Sequence, residues 1–260
     1  MHEGGLLPLL IAGLFGVLIG SFLNVCIYRL PRQESIAWPG SHCPKCSHPI
    51  AWYDNIPILS YSALGGRCRH CTVRIPFRYP LVEILNASGY IALLWVFGPS
   101  WVTVVYGLFY SALLVAAGTD LSHKIIPNAV TFPGIIGGLV CATTVLPLGF
   151  LDSLLGALVG GGILWLLAWA SPYLFGKEGM GGGDIKLLAM IGAFLGWQPA
   201  LMTIMVGSLL GSLVGVTLIA AQVIKREDYI PFGPFLVCGA LVALFFGRSL
   251  LDWYQGLLAG

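Results

Sequence analysis

The sequence predicts an all-α polytopic membrane protein with about eight transmembrane helices and a small polar domain after the first helix. Of its 260 residues, 57% are hydrophobic and only 9% are charged, a composition far from that of a soluble globular domain. The mean hydropathy of +0.88 agrees with this. Apolar runs of membrane-spanning length alternate with short polar connections, which indicates several crossings rather than a single anchor.

Seven apolar runs approach the roughly 20 residues that a helix needs to cross the hydrocarbon core. They cover residues 6–28, 81–97, 101–118, 126–146, 153–174, 200–223 and 232–251. An eighth run, 185–196, would form only about 18 Å of helix, so by length alone it is a re-entrant or bilayer-thinning segment.

The basic residues favour eight crossings with the N-terminus outside. Seven of the thirteen Lys and Arg residues lie between Arg29 and Arg78, which predicts a cytoplasmic loop there. Eight crossings also place five more on the cytoplasmic side: Lys124, Lys177, Lys186, Lys225 and Arg226. Only Arg248 then violates the positive-inside rule. The start MHEGG carries no Lys or Arg, so we expect a retained first helix rather than a signal peptide.

The polar region 29–80 contains two Cys-x-x-Cys pairs, Cys43 with Cys46 and Cys68 with Cys71, separated by 21 residues. Such pairs can bring four thiolates onto one tetrahedral zinc ion, although this spacing is just beyond the usual range for zinc ribbons. Four protein ligands close the coordination sphere, so the zinc would be structural. The alternatives are redox chemistry, a metal-free form, or two disulfides, which do not persist in a reducing cytoplasm.

Two aspartates lie beside apolar segments, where an unpaired charge is costly. Asp120 follows the third run, and Asp184 follows three glycines and begins the short run. The eight-crossing topology puts both at cytoplasmic helix ends, where two carboxyl groups could share a proton and activate water, as in aspartic proteases. Alternatively, Asp184 is a helix N-cap and Asp120 is an interfacial anchor beside His123 and Lys124.

Six motifs and the two cysteine pairs together resemble those of the bacterial prepilin peptidases, also called type IV leader peptidases. Besides the cysteine pairs, they are GSFLNVCIYRLPR, WYDNIPILSY, RYPLVE, TDLSHKIIPN, GMGGGDIKLLAMIGAFLG and PFGPFL. They occur in the expected order from about residue 20 to 240. Presenilin-like proteases share Gly-x-Gly-Asp but lack the cysteine loop, and they have Tyr where this chain has Thr119.

The resemblance implies a bifunctional inner-membrane enzyme. Family members cleave a short basic leader from type IV prepilins or type II secretion pseudopilins after a Gly, and many then methylate the new N-terminal amine with S-adenosylmethionine. The family's catalytic aspartates match Asp120 and Asp184. We therefore expect three parts: a first helix at 1–28, a zinc-binding cytoplasmic domain at 29–80 and a transmembrane aspartyl peptidase bundle at 81–260.

The resemblance also singles out Glu83 of RYPLVE for methyl transfer. Its carboxylate could steady the sulfonium cation of S-adenosylmethionine or help to deprotonate the attacking amine. The alternative is structural: an acid in the first helical turn after Pro80 is favoured by the helix dipole. No glycine-rich Rossmann fingerprint is present, so the cofactor site would be of another kind.

Two other classes of function remain open. Paired intramembrane acids and glycine-broken helices also occur in proton-coupled transporters, although the two halves of this chain show no repeat. The cysteine loop could instead dock a secretion assembly. The net charge of +2 is too small to indicate nucleic-acid binding. The expected partners are lipid and substrates with an N-terminal apolar helix, and the sequence leaves the oligomeric state undetermined.

Overall fold

The computed structural model describes residues 5–175, 181–225 and 230–259. Within these ranges the fold is helical, and its only β-pairing consists of two isolated bridges in the polar loop. The helices are α1 (Leu6–Arg29), α2 (Leu59–Ala63), α3 (Arg78–Phe97), α4 (Trp101–His123), α5 (Asn128–Thr144), α6 (Phe150–Phe175), α7 (Gly182–Leu195), α8 (Trp197–Ala220) and α9 (Gly233–Ala259). The predicted all-α class is confirmed.

Eight of these helices coincide with the eight predicted apolar runs. Six described helices, α1, α3, α4, α6, α8 and α9, are long and apolar enough to cross a membrane. The other two are shorter, because α5 has 17 residues and α7 has 14. The count of eight crossings and the orientation of the termini stay predictions. Lys177 and Arg226, used in the orientation argument, lie outside the described residues, as do Gly179 and Met180 of the glycine motif.

Two helix boundaries differ from the predicted ones in ways that affect the site. Helix α3 begins at Arg78 rather than at 81, because Pro80 is tolerated in a first turn, where its missing N–H has no helical partner. Helix α4 continues to His123, so Asp120 lies inside the helix rather than after it.

The chain separates into two compact units, one reaching to Val115 and the other beginning at Ala116, with the boundary inside α4. The division predicted from the sequence, at 1–28, 29–80 and 81–260, stays a prediction. The cysteines and Glu83 belong to the first unit, whereas both candidate aspartates belong to the second.

In the first unit, two glycines four residues apart let α1 and α3 touch backbone to backbone. A Cβ on Gly16 would lie 2.6 Å from the Cα of Ala87, and one on Gly20 would lie 2.7 Å from the Cα of Glu83. Asn86, fully buried, donates from Nδ2 to the carbonyl oxygen of Gly16 at 2.8 Å. Small residues at this spacing suit helix packing in lipid, where close contact replaces the hydrophobic driving force.

In the second unit, α7 is the central helix. It packs against α5, α6, α8 and α9, and its residues Leu187, Leu188, Met190 and Ile191 are fully buried. A helix surrounded by other helices does not need the length that a lipid-exposed crossing needs, which explains why the apolar run is short.

Small residues four apart on α8, in the segment GSLLGSLVG, are predicted by the sequence to support close packing. A Cβ on Gly207 would lie 3.1 Å from the carbonyl oxygen of Phe235, and one on Gly211 would lie 3.3 Å from its ring. Helices α8 and α9 pack together, so this prediction is confirmed.

Candidate active site and metal centre

Asp120 lies in the last turn of α4, and its side chain is only 3% exposed. Its Oδ2 accepts a 2.8 Å hydrogen bond from the backbone N–H of Gly233, the first residue of α9. The first N–H groups of a helix lack partners within it and carry partial positive charge, so they suit a carboxylate. Because the side chain is buried in the protein rather than offered to lipid headgroups, the interfacial-anchor alternative is wrong.

Asp184 is the third residue of α7 and is 4% exposed. The N-cap of α7 is Gly181, and no side chain caps the helix, so the alternative that Asp184 is the N-cap is wrong. Its Oδ1 is buried without a hydrogen-bond partner among the residues that the structure describes. A buried polar atom left unpaired is expensive, and such atoms occur where a substrate or water completes the site.

Gly183, which precedes Asp184, and Gly233, which contacts Asp120, both lie beside Ile126. A Cβ on Gly183 would lie 3.0 Å from the Cβ of Ile126, and one on Gly233 would lie 3.1 Å from the Cδ1 of the same residue. The segment after α4 therefore packs against the starts of α7 and α9, and Gly183 is needed for this close approach.

The four cysteines Cys43, Cys46, Cys68 and Cys71 form a cluster in which all four sulfur atoms lie within 4.8 Å of one another. The Sγ atoms of Cys43 and Cys71 are 3.7 Å apart, close to the roughly 3.8 Å expected between thiolates bound tetrahedrally at Zn–S distances of about 2.3 Å. All seven cysteines of the chain are free thiols. The cluster could therefore hold a metal ion, and none of its thiols is joined in a disulfide in this structure.

Each pair belongs to a similar small loop. The N–H of Cys43 donates to the carbonyl oxygen of His48 at 3.0 Å, and the N–H of Cys68 donates to that of Val73, also at 3.0 Å. One residue past each second cysteine the backbone is left-handed, with φ of 55° at Ser47 and 53° at Thr72. The local geometry thus repeats, and the two loops present their thiols to a common point.

The charge of the thiols explains why such a cluster needs a cation. Burial opposes ionisation of Cys43, but N–H groups of Cys46 and Lys45 reach its sulfur, and the pKa of Cys43 falls to about 6. The N–H of Val73 acts in the same direction on Cys71, yet burial and the neighbouring thiols raise the pKa of Cys71 to about 11. Four thiolates this close repel one another unless a metal ion neutralises them.

The histidines beside the cysteines are not members of the cluster. The rings of His48 and His70 stack with centroids 3.4 Å apart. Asp54 receives two hydrogen bonds from Arg69, at 2.7 and 2.6 Å. One of the loop arginines thus fastens the loop internally.

Glu83 lies in the second turn of α3, since the helix begins at Arg78, and it is 7% exposed. The alternative that it is an acid of the first turn is therefore wrong. Its Oε2 accepts a 2.8 Å hydrogen bond from the N–H of Ile58, and the Ser21 side chain also bonds to it. Ile58 has a left-handed backbone, with φ of 62°, so the carboxylate holds an unusual bend of the loop.

A cavity of about 810 Å³ lies within the first unit, between α1, the polar loop and the start of α3. Its lining includes Glu83, Ser21 and Asn24 from the helices, together with Cys43 and Cys68 from the cluster. The volume falls in the range of small-molecule sites, roughly 300 to 1,000 Å³. The carboxylate predicted for methyl transfer thus lies at a cavity, and a different cavity wall carries the metal-binding loops.

Comparisons with known proteins identify the family. The model of the bacterial peptidase A24 N-terminal domain matches residues 14–97, and that of the type IV leader peptidase family matches 107–216. A prepilin leader peptidase/N-methyltransferase of Aeromonas salmonicida is 39% identical over 93% of this chain and 91% of its own length. The chain belongs to the type IV leader peptidase family. Proteins of the same name from Pseudomonas aeruginosa and Burkholderia pseudomallei are 38% and 34% identical, over 91% and 86% of their lengths. No solved structure matches.

Two residues of this family member have contacts that sequence reasoning missed. Gly233 lies in the PFGPFL motif, where a Gly-Pro step after a loop predicts the start of a helix. The motif itself does not indicate a contact with Asp120. Arg29 is buried and donates to the carbonyl oxygens of Ser35, Pro39 and Gly40. It connects the end of α1 to the loop, whereas the sequence assigned Arg29 only to the cytoplasmic charge.

Proposed function

We propose that this chain is a bifunctional membrane enzyme that cleaves the leader of prepilins or pseudopilins with Asp120 and Asp184 and then methylates the new N-terminus. The name of the relatives supports both activities. The observation that carries the assignment of residues is the convergence of two buried aspartates around Ile126 in the second unit.

In the proposed cleavage of the peptide bond, the two aspartates share one proton. One carboxylate takes a proton from water while the other, protonated, gives its proton to the scissile carbonyl oxygen, and the water oxygen bonds to the carbonyl carbon. The resulting diol then collapses: one hydroxyl returns its proton to the aspartate that had protonated the carbonyl oxygen, the C–N bond breaks, and the amine leaves with the proton that the other aspartate had taken from water. The burial of both side chains keeps bulk water from competing for this proton.

The position of the aspartates suits a substrate that is half in the membrane. The basic leader stays in the cytoplasm while the apolar helix enters the bilayer, so the scissile bond lies at the cytoplasmic surface. Under the predicted topology, with the N-terminus outside, the cysteine loop and both aspartates lie at that surface of the inner membrane.

Methyl transfer belongs to the cavity of the first unit. S-adenosylmethionine supplies a methyl group on a sulfonium cation, and a buried carboxylate such as Glu83 at the cavity lining fits a cationic ligand. Glu83 would orient the cation and hold the incoming amine ready to lose its proton. The hydrogen bond from Ile58 fixes the direction of this carboxylate.

Zinc is the metal that the four thiolates fit best. Cys43, Cys46, Cys68 and Cys71 offer four sulfur ligands with no open position, which is the pattern of a structural site. Metal binding would fix both loops and, through them, the cavity wall that Cys43 and Cys68 help to form.

Isosteric substitution of each aspartate tests the peptidase assignment. Asp120→Asn and Asp184→Asn should each reduce prepilin cleavage by purified protein about 100- to 10,000-fold, the usual contribution of acid–base groups. Asp152→Asn, which changes an exposed acid at the start of α6, is the matched control and should cleave normally. Full cleavage by either Asn variant with a normal melting temperature would remove the assignment.

The transporter alternative gains no support, because the relatives carry enzyme names. Glu83→Gln tests the second activity, since the variant should still cleave but lose methyl transfer to a pre-cleaved peptide. Glu34→Gln, in the same polar region and exposed, should retain both. The docking alternative for the cysteine loop predicts instead that chelation leaves both activities intact.

A further inference from the structure

We propose that the backbone N–H of Gly233 positions Asp120 for hydrolysis by holding Oδ2, so that Oδ1 faces the reacting water. Gly233 is a positioning residue, because it acts through Asp120 and touches no reacting atom. This inference rests on the proposed peptidase function and adds a residue to it.

The contact is short, buried and specific to one oxygen. The N–H of Gly233 lies 2.8 Å from Oδ2 of Asp120, within the buried part of the second unit. A carboxylate bound through one oxygen keeps a defined rotamer, and its other oxygen then has a fixed direction. Catalytic groups need this fixed direction, since a misplacement of about 1 Å can cost roughly 100-fold in rate.

A side chain at residue 233 would crowd the carboxylate of Asp120. A Cβ on residue 233 would lie 2.7 Å from Oδ2 and 3.2 Å from Cγ of Asp120, and 3.1 Å from Cδ1 of Ile126. The first of these distances is shorter than atoms tolerate, so any side chain at this position pushes the carboxylate away from the N–H. The need for glycine thus comes from the aspartate and not from backbone conformation.

The partial charges at the two helix ends also favour this contact. Asp120 lies in the last turn of its own helix, where the partial negative charge of the helix disfavours a carboxylate. The start of α9 supplies the opposite partial charge together with an N–H that has no partner inside that helix. The first turn of α9 therefore compensates for the unfavourable place of Asp120 in α4.

Gly233→Ala tests the role directly. In purified protein the variant should lose about 100-fold in kcat for prepilin cleavage, with KM within about twofold, because substrate binding does not use this contact. Methyl transfer to a pre-cleaved peptide should be unchanged. Gly256→Ala is the matched control: it lies on the same helix with open space around a Cβ and should behave as the wild type.

A double-mutant cycle on stability tests the geometry itself. Gly233→Ala should lower the melting temperature of the wild type, but in an Asp120→Ala background the Oδ2 and Cγ atoms that a Cβ would meet at 2.7 and 3.2 Å are gone. The loss there should shrink by at least about half, which is the coupling expected of touching residues. Equal losses in the two backgrounds would show that Cβ does not meet Asp120, and the inference would be overturned.

The outcomes separate this inference from the proposed function. If Asp120→Asn abolishes cleavage while Gly233→Ala keeps the wild-type kcat, only the positioning role fails. If Asp120→Asn still cleaves, the peptidase assignment fails as well. A Gly233→Ala variant that loses cleavage and methyl transfer in equal proportion has a general folding defect, and that result also overturns the positioning role.

Discussion

The crossing of α6 and α7 at two glycines predicts that one added methyl group displaces the helix that carries Asp184. A Cβ on Gly156 would lie 2.8 Å from the carbonyl carbon of Gly192 and 2.7 Å from that of Gly196, with the carbonyl oxygen of Gly192 nearer still. Ordinary contacts between carbon atoms are about 3.5 to 4.0 Å. All the atoms met are backbone, so no rotamer change relieves the overlap, and the helices must separate by roughly 1 Å.

The separation of α6 from α7 determines how much stability and activity the variant should lose. Overpacking of this kind costs about 1 to 3 kcal/mol, and the rigidity of the backbone places Gly156→Ala near the upper end. Asp184 lies eight residues before Gly192 on the same helix, about 12 Å along its axis. A shift of about 1 Å transmitted over that length should reduce kcat for prepilin cleavage roughly 100-fold.

The assay compares Gly156→Ala with Gly162→Ala, a change on the same helix where a Cβ meets nothing within 4 Å. Unfolding in mixed detergent micelles gives the stability, and cleavage of a purified prepilin gives kcat. Gly162→Ala should be neutral or more stable by up to about 1 kcal/mol, the helix preference of alanine over glycine. If the two variants unfold and cleave alike, the helices do not cross as closely as the structure has them and the reasoning fails.

Three further predictions concern the first unit. Cys68→Ser should remove bound zinc, measured by elemental analysis of purified protein, whereas Cys141→Ser outside the cluster should keep it; zinc retained by Cys68→Ser would contradict the four-thiolate site. Asn86→Leu should cost about 1 to 3 kcal/mol in unfolding, because it removes the buried hydrogen bonds that Asn86 donates to the carbonyl oxygen of Gly16 and accepts from the hydroxyl of Ser111, and an unchanged stability would count against those bonds. Hydrogen bonds from Arg69 hold the pKa of Asp54 below its usual value, so their stabilisation is present above the unfolded pKa of about 3.9 and is lost as pH falls through the folded value. The melting-temperature advantage of the wild type over Arg69→Gln should therefore vanish in acid, and a constant difference would refute it.

Much of this fold could be predicted from the sequence because its signals are local. An apolar run long enough to cross a bilayer indicates a helix wherever it occurs, and even the run at 185–196 corresponds to α7 (Gly182–Leu195). The four-cysteine cluster could also be predicted from the sequence, since the spacing within each Cys-x-x-Cys pair already restricts how the thiols can meet. The aspartate pair could not be predicted from local spacing alone, because the burial and proximity of its two side chains come from helices far apart in sequence.

The rest depends on contacts that no local pattern contains. The chain has 35 glycines, and composition does not distinguish Gly156, which meets another backbone, from Gly162, which meets nothing. An acid that follows glycines can be a helix N-cap, so this interpretation of Asp184 was reasonable. The helix nevertheless starts two residues before Asp184, at Gly182. The buried position of Glu83 likewise depends on where α3 begins, and Pro80 was misleading because proline also fits inside a first turn.

The hydrogen bond between Asp120 and Gly233 joins residues 113 positions apart. Because the chain is synthesised from its N-terminus, the donor Gly233 is made after the acceptor Asp120. A nascent chain that has emerged as far as α7 already carries both aspartates, yet it lacks the donor that orients the first of them. In the proposed active site, this contact forms only after α9 has been synthesised. Under the proposed function, a copy of the chain without α9 lacks the contact that orients Asp120 and should cleave pilin precursors poorly.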